Sequence, residues 1–311
     1  MSEPKSLRQA YGEALVKYGG ANNNIVVCDA DLSNATMTNL FKAKYPERFF
    51  DFGIAEANMI CNAAGMAYEG FIPFVSTFAL FGAGRAYEQI RNSAVYVHAN
   101  VKFAFTHSGL SVGEDGGSHQ SVEDIALMRV LPGMTIIAPC DAFEMDKAVK
   151  AAIDINGPVY LRIARPVCPY ITQENDPFIP GKANVLQDGC DTAIFSMGLM
   201  IPEALEAAKL LAKDGIKAAV VNFHTIKPFD TATALAFAKK TGAIVTAEEH
   251  SIIGGLGSAA AEALAGAGCK FARIGIEDKF GKSGAPAELF AEYGLSAVNI
   301  AEMARKMLSV A

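Results

Sequence analysis

Residues 71–106 read FIPFVSTFALFGAGRAYEQIRNSAVYVHANVKFAFT, and this stretch decides the fold class. Its two ends, Phe71 to Val75 and Val101 to Thr106, are short aromatic and β-branched runs of the kind that form buried strands. Between them, Gly84 to His98 repeats apolar residues at the i, i+3, i+4, i+7 spacing of a helix packed on one face. A strand, a helix and a second strand in so short a stretch form a βαβ unit, whose strands lie parallel and side by side.

The same alternation extends in both directions. Ile25 to Cys28, Phe49 to Phe52, Thr135 to Ala138 and Pro158 to Arg162 read as further strands, and Leu7 to Tyr18, Ala55 to Tyr68 and Ala142 to Ile153 as helices. Pro166 to Gly189 holds four prolines and breaks both periods, which marks a linker. A second alternating unit follows, with strands at Thr192 to Ser196, Lys217 to Asn222, Ile244 to Ala247 and Phe271 to Ile276. The expectation is an α/β protein of two doubly wound domains with mainly parallel sheets, spanning 1–168 and 189–311 around a linker at 169–188. Ligands of such sheets bind at the carboxyl ends of strands, which directs attention to the loops after Cys28, Val75 and Thr106.

Composition narrows the classes of function. The chain has 311 residues, 51% hydrophobic and 19% charged, which excludes an intrinsically disordered protein. Its 27 basic and 33 acidic residues give a net charge of −6 without a basic run, so neither nucleic acid nor an anionic membrane is an expected partner. A small ligand, neutral or accompanied by a metal, fits better. The N-terminal MSEPKSLRQA lacks the apolar core of a signal peptide and no long apolar span follows, so the expected location is cytoplasmic. The six cysteines are widely spaced with no C-x-x-C pair, and read as reduced core thiols.

Three segments carry candidate chemistry. THSGLSVGEDGGSHQSVED, Thr106 to Asp124, follows a strand and combines His107, Asp115 and His119 with glycines that allow close ligand approach, a set suited to a hydroxylated substrate. A metal site is the rival reading, against which stand the wide ligand spacing and the lack of an oxygen cage; a plain solvated loop is the bland one. In DFGIAEANMICNAAGMAYEG, Glu56 opens a helix of apolar and small residues, where a first-turn acid complementing the helix dipole is the ordinary explanation. In PFVSTFALFGAG, Phe78 and Phe81 follow a strand at a spacing that alone means core packing.

Taken together, in this order and at these separations, the segments resemble the C-terminal half of transketolases over nearly the whole chain. The resemblance implies a pyrimidine-binding domain followed by a transketolase C-terminal domain, and thiamine diphosphate as cofactor. It implies that Glu56 hydrogen-bonds the cofactor's aminopyrimidine ring, that Phe78 and Phe81 pack against that ring, and that His107, Asp115 and His119, in the T-H-x-x-x-x-G-E-D-G-x-x-H-Q loop, contact the sugar. Arg165 of IARP would bind a substrate phosphate, with Arg162 as the weaker candidate and Arg8 sharing the phosphate. DKFGKSGAPAELFAEYGL resembles the family's C-terminal signature, in a domain expected to add little to the site. Asp29 of CDADLS stands where the family has a phosphate-contacting serine. Three arrangements are open to it: turning away, selecting an acceptor without phosphate, or pairing with Arg8, which is the one expected.

The family's diphosphate motif, G-D-G followed by N-N, is absent from this sequence. The resemblance to split transketolases therefore implies a separate N-terminal subunit that holds the diphosphate and Mg2+, and self-association into an α2β2 assembly. The implied reaction moves a two-carbon ketol unit from a ketose or ketose phosphate to an aldose or aldose phosphate. Two alternatives share the cofactor. Deoxyxylulose-phosphate synthases have similar I-A-E and S-T-F segments, and RAYEQIR from Arg85 is like theirs, but they place no histidine at the position of His107. Beta subunits of 2-oxo acid dehydrogenases match in length and lack the G-E-D-G-x-x-H-Q loop. A non-catalytic binding or regulatory subunit on the same fold is the alternative from another class.

Overall fold

The computed structural model describes residues 4–309, so residues 1–3 and 310–311 of the expected domain spans lie outside the described residues. Two mainly parallel sheets form the frame. The first contains β1 (Ile25–Asp29), β2 (Phe49–Asp51), β3 (Ile72–Phe78), β4 (Lys102–Thr106), β5 (Thr135–Ile137) and β6 (Val159–Arg162), in spatial order β5-β6-β4-β3-β1-β2, all parallel. The second contains β7 (Asn184–Gln187), β8 (Thr192–Ser196), β9 (Ala218–Asn222), β11 (Ala243–Ser251) and β12 (Lys270–Ile276), in order β12-β11-β8-β9-β7, with only the β7 edge antiparallel. Between β9 and β11 in the chain, β10 (Thr225–Lys227) crosses back and pairs antiparallel with β5, extending the first sheet.

Burial on both faces explains why the central strands β1, β4, β6, β8 and β9 read as apolar runs rather than alternating ones. On one face of the first sheet, helices α1 (Leu7–Ala21) and α3 (Ala142–Asp154) cover Ile25, Phe74 and Leu161 with Leu7, Tyr11, Met145 and Val149. Both helices start on a side-chain cap: Ser6 accepts the Gln9 N–H and Asp141 the Glu144 N–H. On the other face, α2 (Glu56–Tyr68) contributes Met59, Ile60 and Ala63 to a core that continues through Phe103 and Phe105 to Phe195 and Phe223 of the second sheet. At about 1.5–3 kcal/mol per fully buried large side chain, this shared core holds the two sheets together far more firmly than a linker could.

Two expectations need adjustment. Residues 80–95, which overlap the segment read as a helix over Gly84 to His98 and begin before it, form wide π-helical turns at Leu80–Arg85 and Ile90–Val95 flanking a short α-turn at Tyr87–Gln89. The apolar spacing is retained in buried Ala83, Ala86, Ile90 and Ala94, but Gly82 lies where a Cβ would come within 2.4 Å of the Phe105 ring, so only glycine admits the turn this close to the sheet. The segment 169–188 includes β7, an edge strand whose 4-residue sequence NVLQ is too short to show a period.

Candidate active site

Register brings the motifs together. Phe78 at the end of β3 lies opposite Thr106 at the end of β4, and Asp29 at the end of β1 lies opposite Ser76, so the residues just beyond these strands emerge at one edge of the sheet. His107, the first residue after β4, turns with φ +58°, and its ring stacks on Phe78 at 3.8 Å between centroids. Phe78 in turn stacks on Phe81 at 5.6 Å, and His119 meets the edge of Phe81 at 5.3 Å. Four rings from two segments thus form one wall.

Glu56 lies in the first turn of α2 and is 2% exposed. Its carboxylate accepts from Arg85 Nη1 at 3.1 Å and 3.0 Å, one contact to each oxygen, and the Arg85 guanidinium lies 5.0 Å from the centre of the Phe81 ring. A buried carboxylate demands a cation or several donors, because leaving it unpaired away from water is strongly unfavourable.

His107 is buried, and its Nδ1 lies 2.8 Å from Thr106 Oγ1. Burial, followed by the charges of Arg8, Arg165 and His119, holds its pKa down to about 3, so the imidazole is neutral at physiological pH and offers one donor and one acceptor. Arg8 and Arg165 sit side by side: Arg8 donates to the Arg165 carbonyl at 3.2 Å and to the Ala35 carbonyl at 2.6 Å. The Arg8 pKa is lowered by burial and by the charge of Arg165. Arg165 donates to the Val112 carbonyl and approaches Glu114 at 3.4 Å and Asp115 at 3.9 Å. Asp115 is therefore on an exposed rim beside the arginine pair, and His119, against Phe81, is half-buried.

Two positions singled out in the sequence go elsewhere. Asp29 is fully buried and its carboxylate accepts from Leu32 N–H at 2.6 Å, Thr36 Oγ1 at 2.7 Å and Thr38 Oγ1 at 2.8 Å. It fastens its own loop instead of pairing with Arg8, and among the described residues no arginine forms an ion pair with it. Burial is the main reason its pKa is raised to about 6, and the three donors oppose that rise. Arg162 is equally committed. It is buried against Asp124 at 2.8 Å and the Glu249 carbonyl at 2.9 Å, which removes it from the phosphate candidates.

The support behind the loop after β4 was not legible as function. Gln120 Nε2 donates to the carbonyls of Leu110, Gly113 and Lys282, at 3.2, 3.1 and 3.0 Å, tying the loop to itself and to the C-terminal segment. Glu249 of β11 accepts the Ser111 N–H at 2.5 Å. Burial pushes the Glu249 carboxyl up to about 7, against the opposing pull of Arg162. The available signal was the pair Glu248-Glu249 directly after the strand-like run Ile244 to Ala247, an unusual place for two acids. Among the described residues, no group of three or more His, Cys, Asp or Glu side chains is arranged to hold a metal, and no helix is long and apolar enough to cross a membrane.

Comparison with known proteins decides the family. Residues 3–169 match the family model of the transketolase pyrimidine-binding domain, and residues 181–300 that of the transketolase C-terminal domain. This chain belongs to the transketolase family. It is 46% identical over 302 residues to a Methanocaldococcus jannaschii protein named as a transketolase C-terminal section, covering 96% of this chain and 95% of that protein. It is 43% identical to a 6-deoxy-6-sulfo-D-fructose transketolase subunit of a Clostridium species, over 97% of this chain and 94% of that one. A solved structure described as a split gene transketolase, inactive β4 tetramer, superposes with a TM-score of 0.91 at 46% identity and 99% coverage of both chains. The transketolase family depends on thiamine diphosphate, and this chain has the family's pyrimidine-binding and C-terminal domains.

Proposed function

We propose that this chain is the C-terminal subunit of a split, thiamine-diphosphate-dependent transketolase, transferring a two-carbon ketol unit from a ketose to an aldose, either of them phosphorylated or not, in the cytoplasm. The observation that carries this reading is the buried Glu56 carboxylate beside the Phe78–Phe81 stack, with His107 on the same aromatic wall. These residues fit an aminopyrimidine: the carboxylate can hold a ring nitrogen, the aromatic faces can pack against the ring, and the apolar surroundings exclude water from the hydrogen bond. The residues do not fit the diphosphate, because the G-D-G and N-N motif is absent from this chain. A second, N-terminal subunit would hold the diphosphate and Mg2+, in an α2β2 assembly; the relative described as an inactive β4 tetramer supports that requirement. The domains are then 1–168 for the pyrimidine and 189–311 for the C-terminal unit.

When bound, thiamine diphosphate supplies the nucleophilic carbon that takes up the ketol unit. Glu56 would hold or give a proton at the aminopyrimidine nitrogen. His107, kept neutral by burial and by the two arginines, can accept a proton from a substrate hydroxyl or donate to an oxyanion, and His119 can assist from the edge of the wall. Asp115 would orient a hydroxyl at the rim. Arg8 and Arg165 together suit a tetrahedral anion on the far end of the sugar; phosphate and sulfonate share that geometry, and the similarity to a sulfosugar transketolase subunit makes both worth testing.

The test is reconstitution. The chain alone, supplied with thiamine diphosphate, Mg2+, a ketose donor and an aldose acceptor, is expected to be inactive, and addition of the diphosphate-binding subunit is expected to start ketol transfer. Steady turnover by the pure chain, or a reconstituted complex that needs pyruvate or a lipoyl acceptor, would overturn the reading.

A further inference from the structure

The Arg85 guanidinium makes the two contacts that the proposed function assigns to the cofactor ring. It hydrogen-bonds both oxygens of Glu56, at 3.1 and 3.0 Å, and lies over the Phe81 ring at 5.0 Å. Glu56 is buried among Met59, Ile60 and other apolar residues of its helix, whereas the Arg85 side chain is 54% exposed. The arginine reaches in from solvent to neutralise a carboxylate that cannot reach water itself. Its backbone lies at the end of the π-helical turn Leu80–Arg85, which also carries Phe81, so the aromatic face and the cation are presented by the same turn. A planar heterocycle that hydrogen-bonds Glu56 and packs on Phe81 requires the volume the guanidinium fills.

We propose that Arg85 is a placeholder in the transketolase subunit: it occupies the aminopyrimidine position in the cofactor-free chain and swings into solvent when the ring is seated. The inference rests on the cofactor reading above and adds a regulatory element to that site. A long, half-exposed side chain can make this movement by changing rotamers without disturbing the sheet, and its charge regains hydration as it leaves. In the cofactor-free chain, the ion pair protects the fold from an unpaired buried carboxylate. Binding of the cofactor ring must compete with that ion pair, so the measured affinity falls below the intrinsic one in proportion to the fraction of chains in which Arg85 is withdrawn.

The experiment is calorimetric titration of thiamine diphosphate with Mg2+ into the complex of the full chain and its diphosphate-binding subunit, for the wild type, Arg85→Gln, Glu56→Gln and the double variant. If the pair is closed about nine-tenths of the time, Arg85→Gln tightens binding about tenfold. The same change has little effect on affinity when Glu56 is already Gln. Thermal melts give a second readout: Arg85→Gln lowers the Tm of the cofactor-free chain and leaves that of the loaded complex near the wild-type value. Unchanged or weaker binding by Arg85→Gln, or equal lowering of Tm with and without cofactor, overturns the placeholder role. Failure of every form, wild type included, to bind the cofactor overturns the functional reading and this inference with it.

Discussion

Gly109→Ala tests how the second domain supports the proposed substrate loop. Gly109 has φ +79° and ψ −168°, a region populated essentially by glycine alone, and forcing alanine into it costs about 1–3 kcal/mol. A Cβ there would come within 2.4 Å of Glu249 Oε1 and 2.5 Å of Glu249 Cδ. Glu249 cannot swing aside freely, because it is buried and its Oε1 accepts the Ser111 N–H. Displacing it sacrifices a buried hydrogen bond to an ionisable group, roughly another 1.5–3 kcal/mol. The total, about 2.5–6 kcal/mol, is a large share of the 5–15 kcal/mol that stabilises a typical domain. Gly70→Ala is the control: it also has positive φ, at +88°, but a Cβ there meets nothing within 4 Å, so it loses only about 1–2 kcal/mol to backbone strain. Urea unfolding of both variants, with KM for the sugar acceptor measured in the reconstituted complex, separates the terms. Equal stability of the two variants, or a destabilised Gly109→Ala that handles substrate normally, would refute the supporting role of Glu249.

Three further outcomes follow from burial and charge. Glu248 and Glu249 are both raised by burial from an ordinary 4.5 to about 7, so the stability this pair confers is complete below pH 4.5 and is lost as pH rises through 7. Glu249→Gln, which retains an acceptor for Ser111, should make that decline shallower in urea titrations between pH 5 and 7.5, and an unaltered slope would contradict it. His107 has the opposite sign: lowered from 6.5 to about 3, its contribution is present above 6.5 and lost as pH falls towards 3, and His107→Phe should remove that loss from acid melting curves. Asp29→Ser removes the acceptor for Leu32, Thr36 and Thr38 and should cost roughly 2–4 kcal/mol, with similar effects on phosphorylated and unphosphorylated aldoses; a gain confined to phosphorylated ones would return Asp29 to the anion pocket.

Much of this was legible because apolar strands and their order report directly on a buried parallel sheet. The β3–β4 unit and the loop after Thr106 locate the candidate site, since parallel register brings Phe78 and Thr106 together whatever the intervening turns do. Those turns were less legible. Apolar spacing does not distinguish α from π winding when alanine and glycine face a crowded sheet, as they do around Gly82. Of the three arrangements open to Asp29, turning away is the one observed, and the expected pairing with Arg8 fails for a physical reason: the charge suggested an arginine, whereas two nearby threonine hydroxyls and a backbone N–H satisfy it within nine residues of chain. Arg162 and Asp124 were hidden from pairing rules because 38 residues separate them. Glu249 reaches Ser111 from the other domain, across 138 residues, and only the packing of the two sheets reveals it.

The central claim is that Glu56 acts on the cofactor ring and His107 on the sugar. The direct measurement is hydrogen–deuterium exchange at the C2 carbon of thiamine diphosphate, with Mg2+, in the reconstituted complex and without sugar. Glu56→Gln should slow that exchange by about 10² or more, as expected for loss of a group engaged in proton transfer, while His107→Ala exchanges at the wild-type rate and loses ketol transfer. Wild-type exchange in Glu56→Gln, or equal slowing in both variants, would contradict the claim.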